Sequence, residues 1–285
     1  MNANAISVAT PLPKVPAGPA RLRWLAADAW VLAKRQFAHI RQIPEKLFDV
    51  TLQPVMFVLL FAYVFGGVIN VPGGGNYHEY LIGGIIVQTL AFGMMGPGVS
   101  LATDLGEGII DRFSSLPMSR PAYLIGHLTA EFSATLLAIA IMVGSGLIVG
   151  WGIASTPLEA LAGFGLIFLI AITSIMLGTM VGVIARSPDA VQGIAFVAVF
   201  PLTFVANTFV PVGGLPDGLR QVAEYNPISA WAAAIRTLFG NPTAIPDGAA
   251  WPLEHPVIAS IAWCLAILAV VVPLALRAYR RRTTG

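Results

Sequence analysis

The 285-residue sequence predicts an all-α polytopic membrane protein with six transmembrane helices, on three observations. Hydrophobic residues make up 56% of the chain, charged residues only 11%, and the mean hydropathy is +0.79, too little polar surface for a soluble domain of this size. Six stretches each supply the ~20 mostly apolar residues that cross ~30 Å of hydrocarbon with every backbone polar group satisfied inside the segment. Basic residues collect at alternate ends of those stretches.

Residues 1–20 are rich in Pro and Ala and lack the hydrophobic centre of a cleavable signal, so a disordered tail is expected. Residues 21–49 follow as an interfacial segment. On a helical wheel over 21–42, Leu22, Leu25, Ala26, Ala29, Trp30, Ala33, Phe37 and Ile40 share one arc, and Arg23, Lys34, Arg35, His39 and Arg41 the other. That is the pattern of a helix lying between headgroups and acyl chains, its basic face toward anionic lipid or a protein.

The transmembrane domain spans residues 50–276, with helices at 50–69, 80–102, 123–151, 158–185, 190–208 and 257–276. The third and fourth are long enough to tilt or project from the bilayer. Gly144-Ser145-Gly146 and Gly178-Thr179-Met180-Val181-Gly182 typify their small-residue content, which lets helices approach closely, a pore lining being the alternative reading. Glu131 is ionisable at membrane depth and His127 lies one turn earlier, an intramembrane polar pair that is either structural or involved with substrate or protons. Phe92, Met94 and Met95 of the second span and Phe196, Phe200 and Phe204 of the fifth offer a surface to an apolar substrate; lipid-facing or core positions are the plainer reading. Cys264 is the only cysteine, which excludes an intrachain disulfide and a Cys-based metal site and suggests a small buried thiol.

Fourteen of the 16 basic residues lie before the first span, in the second and fourth connections, or in the tail at 277–285. Only Arg220 and Arg236 fall in the long outer segment at 209–256. An even number of spans with both termini in the cytoplasm satisfies this distribution, and nothing in it calls for a nucleic-acid partner. The outer segment interleaves prolines with an apolar run at 228–239, the composition of one or two short helices dipping into the outer leaflet.

Between spans two and three, residues 104–117 carry Asp104 and Glu107 at capping-box spacing, Leu105, Ile109, Phe113 and Leu116 on one side, and Pro117 as a stop. A short amphipathic cytoplasmic helix is expected. The run Glu107-Gly108-Ile109-Ile110-Asp111-Arg112-Phe113-Ser114-Ser115-Leu116-Pro117-Met118-Ser119-Arg120 resembles the signature of type-2 ABC exporter permeases, particularly the daunorubicin-resistance permease group of bacteria. Asn226-Pro227-Ile228-Ser229, Arg236 and Gly240-Asn241-Pro242 resemble that group's loop before the last span. The resemblance implies a bacterial cytoplasmic membrane location and a coupling helix whose Glu107, Asp111, Arg112 and Phe113 contact a cytosolic ABC ATPase. It also implies a re-entrant pair in the outer segment and a homodimer or pseudo-dimer of permeases with two ATPases.

A phosphate-binding loop needs Lys after Gly and before Ser or Thr, and none of Lys14, Lys34 and Lys46 has those neighbours. ATP and Mg are therefore expected on the partner ATPase, with no cofactor on this chain. No Gly-x-Ser-x-Gly or His-Glu-x-x-His motif occurs; His78-Glu79 comes nearest and lacks the second histidine, so no catalytic or metal residue is assigned. The expected function is the permease subunit of an ATP-driven exporter for a drug, lipid or glycolipid. The alternatives are a proton-driven secondary exporter, which calls for more buried ionisable groups or inverted repeats, and a non-transporting membrane scaffold.

Overall fold

The computed structural model describes residues 44–65, 71, 76–109 and 122–284. The expected tail and most of the interfacial segment thus lie outside the described residues. Helix α1 (Pro44–Phe65) begins with a proline, whose fixed φ and missing N–H are harmless in a first turn, and runs unbroken across the expected domain boundary at residue 50.

The second predicted span is two helices, α2 (Tyr77–Phe92) and α3 (Met95–Gly106), separated by a turn at Gly93 and Met94. Asn76 caps α2 by accepting the His78 N–H at 3.1 Å. The break has a local cause: Pro97 has no N–H to return to the Gly93 carbonyl, so the ladder lapses there. Then come α4 (Ala122–Ile148), α5 (Pro157–Ile184) and α6 (Pro188–Phe204). Thr156 and Glu159 form a reciprocal capping box at the start of α5, and Ser187 caps α6. A 3-10 turn (Val212–Gly214) leads into α7 (Asp217–Tyr225), α8 (Pro227–Phe239), the single turn α9 (Trp251–Glu254) and α10 (Pro256–Thr284).

No strand occurs among the described residues. Among the described residues four stretches are long and apolar enough to cross a membrane: Tyr77–Gly106, Tyr123–Ile148, Pro157–Ile184 and Pro256–Arg282. Two shorter apolar stretches, Val55–Val64 and Pro188–Phe204, coincide with the first and fifth predicted spans. At 1.5 Å per residue α6 is about 25 Å long, and the chain turns four residues earlier than the predicted end at 208. The cause lies in the outer site described below, which claims the backbone carbonyls that follow the helix.

Helix α5 is central, packing against α10, α3, α8, α2, α4 and α6. A Cβ at Gly178 would overlap the Met94 carbonyl oxygen, and one at Gly182 the Gly98 carbonyl, so the α2–α3 break rests backbone to backbone on α5. These glycines serve close packing. Gly144, by contrast, has nothing within 4 Å of where its Cβ would stand. The core joins Tyr80, Leu81, Ile82, Ile85 and Ile86 of α2 to Ile167 and Ile170 of α5 and Trp231, Ile235 and Phe239 of α8. Cys264 is a buried free thiol in the same cluster. In their most apolar windows α2–α3 and α5 are 61% and 56% buried within the chain, whereas α4 and α10 are 17% and 22%, which leaves those two to face lipid or another subunit.

Candidate functional site

Two polar clusters, one at each end of the bundle, interrupt this apolar packing. At the arginine-rich end, α3 runs straight through Asp104 to Gly106, so Asp104 does not open a new helix with Glu107 as its capping partner. It is satisfied across the bundle instead: the Tyr123 hydroxyl, in the first turn of α4, donates to Asp104 Oδ2. Leu101, Val183 and Tyr279 pack with Tyr123 beneath that bond. Glu107 is exposed at the helix end, its N–H returned to the Thr103 carbonyl at 2.9 Å, and Gly108 turns the chain at φ 65°. Asp111, Arg112 and Phe113 lie outside the described residues. The Tyr123–Asp104 bond thus joins the helices on either side of residues 110–121.

The polar stripe continues along α4. His127 is 1% exposed, its ring stacked at 6.1 Å and 8° on Tyr123. One turn on, Glu131 is half-buried, and its Oε2 would lie 3.4 Å from a Cβ at Gly96 of α3. His127 is thus buried against Tyr123, and Glu131 lies beside α3.

At the opposite end Arg236 of α8 is fully buried. Its Nε donates to the Tyr80 carbonyl at 2.7 Å, Nη1 to the Asn207 carbonyl at 2.7 Å and to Asn207 Oδ1, and Nη2 to the Thr208 carbonyl at 2.8 Å. The guanidinium carbon sits 3.5 Å from the Tyr80 ring centroid. Tyr80 also donates its hydroxyl to Asn207 Oδ1 at 2.7 Å, and the Asn207 N–H donates to Ser229 Oγ at 3.0 Å. Gly83 and Gly84 make the room: a Cβ on Gly83 would stand 2.8 Å from Arg236 Cγ, and one on Gly84 would overlap the Thr208 carbonyl. One side chain so ties α2, the turn after α6 and α8 together.

The segments around α8 hold it in place. Asn226 accepts the Ile228 N–H at 2.9 Å and donates through Nδ2 to the Leu202 carbonyl at 2.7 Å. Gly240, at φ 70°, ends the helix. Asn241 then accepts from Trp151 Nε1 at 2.8 Å and donates to the Gly152 carbonyl at 2.9 Å. The sequence alone marks Arg236 as a basic residue of the outer segment and as part of the family resemblance there, and gives none of its partners. The available signal was a lone arginine within the apolar run 228–239, which a bundle tolerates only with dedicated oxygen partners.

The six candidate substrate residues divide into two groups. Phe92, Met94 and Met95 pack into or against the core at the α2–α3 break. Phe196, Phe200 and Phe204 are exposed on α6 and stack at 4.9 and 4.3 Å. That stack continues through Phe209 to Phe61 and Phe57 of α1. The aromatic row therefore bridges α6 and α1. Among the described residues no group of three or more His, Cys, Asp or Glu converges as a metal site.

Comparison with known proteins matches residues 27–239 to the family model described as ABC-2 type transporter. A daunorubicin resistance ABC transporter permease protein from Streptomyces coeruleorubidus is 28% identical over 93% of this chain and 89% of its own. A doxorubicin resistance ABC transporter permease protein from Mycobacterium tuberculosis is 25% identical over 85% of each chain. A putative transport permease from Porphyra purpurea is 25% identical over 74% of this chain and 73% of its own.

Proposed function

Because the chain belongs to the ABC-2 type transporter family, a family of membrane transport components and not of enzymes, we propose that it is the membrane-spanning permease of an ATP-driven exporter. Its substrate is a hydrophobic or amphipathic molecule, a drug, lipid or glycolipid, taken from the cytoplasm or inner leaflet; the relatives' names support the drug. In this reading α1 and α6 are the first and fifth of six spans in a bacterial cytoplasmic membrane, and the Lys and Arg distribution supports cytoplasmic termini. ATP and Mg bind a separate ATPase chain, since no lysine here has phosphate-loop neighbours. Two permeases, either two copies of this chain or a pair of different chains, join two ATPases.

The observation that supports this most is the Tyr123–Asp104 bond closing the base of the signature segment. A helix that pushes on two spans must be fixed to both. With Asp104 on α3 and Tyr123 on α4, a displacement of Glu107, Asp111, Arg112 and Phe113 by a docked ATPase moves the two helices together. Helix α3 passes that motion to α5 through the glycine contacts and to the turn at Gly93 and Met94. At the other end, the Arg236 cluster joins α2 to the turn after α6, so motion of the second span reaches the outer segment that caps the path.

The coupling role is tested with Tyr123→Phe, which removes one hydroxyl and keeps the ring. A hydrogen bond to a charged group contributes ~1.5–3 kcal/mol, enough to loosen the joint without unfolding the bundle. The expected result is an intact complex with its ATPase still bound, and several-fold fewer substrate molecules exported per ATP hydrolysed. Unchanged export per ATP would remove the joint from the mechanism.

A further inference from the structure

A groove of about 460 Å³ opens between the last turn of α5 and the end of α10, a size ordinary for a small-molecule site. Its α10 wall is Leu274, Arg277, Ala278, Arg281 and Arg282, spaced i, i+3, i+4, i+7 and i+8, so all five occupy one helical face. That face changes chemistry along its length. Leu274 and, across the groove, Ile184 of α5 are apolar and exposed, 45% and 59%. At 1.5 Å per residue the first arginine, Arg277, stands about 5 Å along the axis from Leu274, and Arg281 and Arg282 about 10–12 Å. Among the described residues no Asp or Glu lines the groove.

We propose that this groove binds the phosphate headgroup of an anionic phospholipid, with an acyl chain lying along Leu274 and Ile184. Guanidinium groups bind phosphate by multiple charge-assisted hydrogen bonds, and three of them line this wall. The apolar half favours a lipid over a soluble phosphate, because it runs along spanning helices and is open to the bilayer, where a free anion gains nothing. It also favours a lipid over an acidic protein surface, which would meet the arginines and leave the apolar wall bare. A bound lipid would brace α10 against α5, the central helix, at the end of the bundle where the charge distribution sets the cytoplasm.

The test uses the purified permease, with any ATPase that co-purifies, and counts bound lipid by native mass spectrometry in neutral detergent. Three probes are added separately: dioleoyl phosphatidylglycerol, dioleoyl phosphatidylcholine with the same chains, and inorganic phosphate. Phosphatidylglycerol is expected to be retained selectively, and excess inorganic phosphate not to displace it. At roughly fivefold per arginine, R277Q/R281Q/R282Q should weaken retention about a hundredfold, while the triple lysine variant keeps most of it. Ala278→Trp, which fills the groove and leaves every charge in place, should abolish selective retention. Equal retention of phosphatidylcholine, displacement by inorganic phosphate, or retention unaffected by A278W would each overturn the lipid site. Loss of the ATPase from the triple glutamine variant with phosphatidylglycerol still bound would assign the arginines to a protein interface instead.

Discussion

Arg236 has no exposed surface and is held by oxygens of Tyr80, Asn207 and Thr208 and by the face of one ring. Replacing it with Ala would remove the guanidinium donors from the Tyr80, Asn207 and Thr208 carbonyls, leave Asn207 Oδ1 with the Tyr80 hydroxyl alone, and open a cavity. At ~1–3 kcal/mol for each unsatisfied group, partly relieved by relaxation, the loss should be about 3–5 kcal/mol. Arg236→Lys should fall between, because an ammonium is a point donor and cannot fork across carbonyls on two elements. Thermal unfolding of the purified variants in detergent checks this; a lysine variant as stable as the parent would show that charge alone, and not the fork, is what the cluster requires. None of these partners could be read from the sequence. Three are backbone carbonyls 28, 29 and 156 residues away, which carry no residue-type signature, and the Asn207 side chain and Tyr80 ring lie equally far along the chain. The Asp104–Tyr123 bond was hidden for the opposite reason: the spacing of Asp104 and Glu107 offered a plausible local partner, and the actual one lies across the signature segment.

Elements were more legible, since periodicity and length report burial directly. Four of the predicted spans recur as helical stretches long and apolar enough to cross a membrane and two as shorter apolar stretches, and Thr156, Ser187 and Asn226 cap helices as their residue types suggest. What pattern could not show was the break at Gly93 and Met94, because an apolar run reads alike whether its helix is one piece or two; Pro97 was the single clue. The close fit of that break to α5 makes a paired prediction on one helix. Gly178→Ala drives a methyl into the Met94 carbonyl and should destabilise the protein by about 1–3 kcal/mol. Gly165→Ala, exposed on α5 with nothing within 4 Å, should be neutral or stabilising by up to about 1 kcal/mol, from helix propensity alone. Unfolding midpoints of the two variants decide it, and equal effects would mean that α3 and α5 do not approach through Gly178.

At the scale of the molecule the bundle has a rigid centre, α2, α3, α5 and α8, between two lightly covered helices, α4 and α10. Polar joints fasten it at both ends. The exposed phenylalanines of α6 and the sparsely covered faces of α4 and α10 leave apolar surface open outside the chain's own packing. The central claim is that energy enters this bundle from an ATPase on another chain, through the segment based at Asp104 and Tyr123. The direct measurement is substrate flux from liposomes containing the purified permease with its co-purifying ATPase, driven either by ATP or by an imposed proton gradient. The account predicts export with ATP, none with the gradient alone, and the same ATP-driven export when Glu131 is replaced by Gln. Export driven by the gradient with no ATPase bound, and lost in Glu131→Gln, would contradict it.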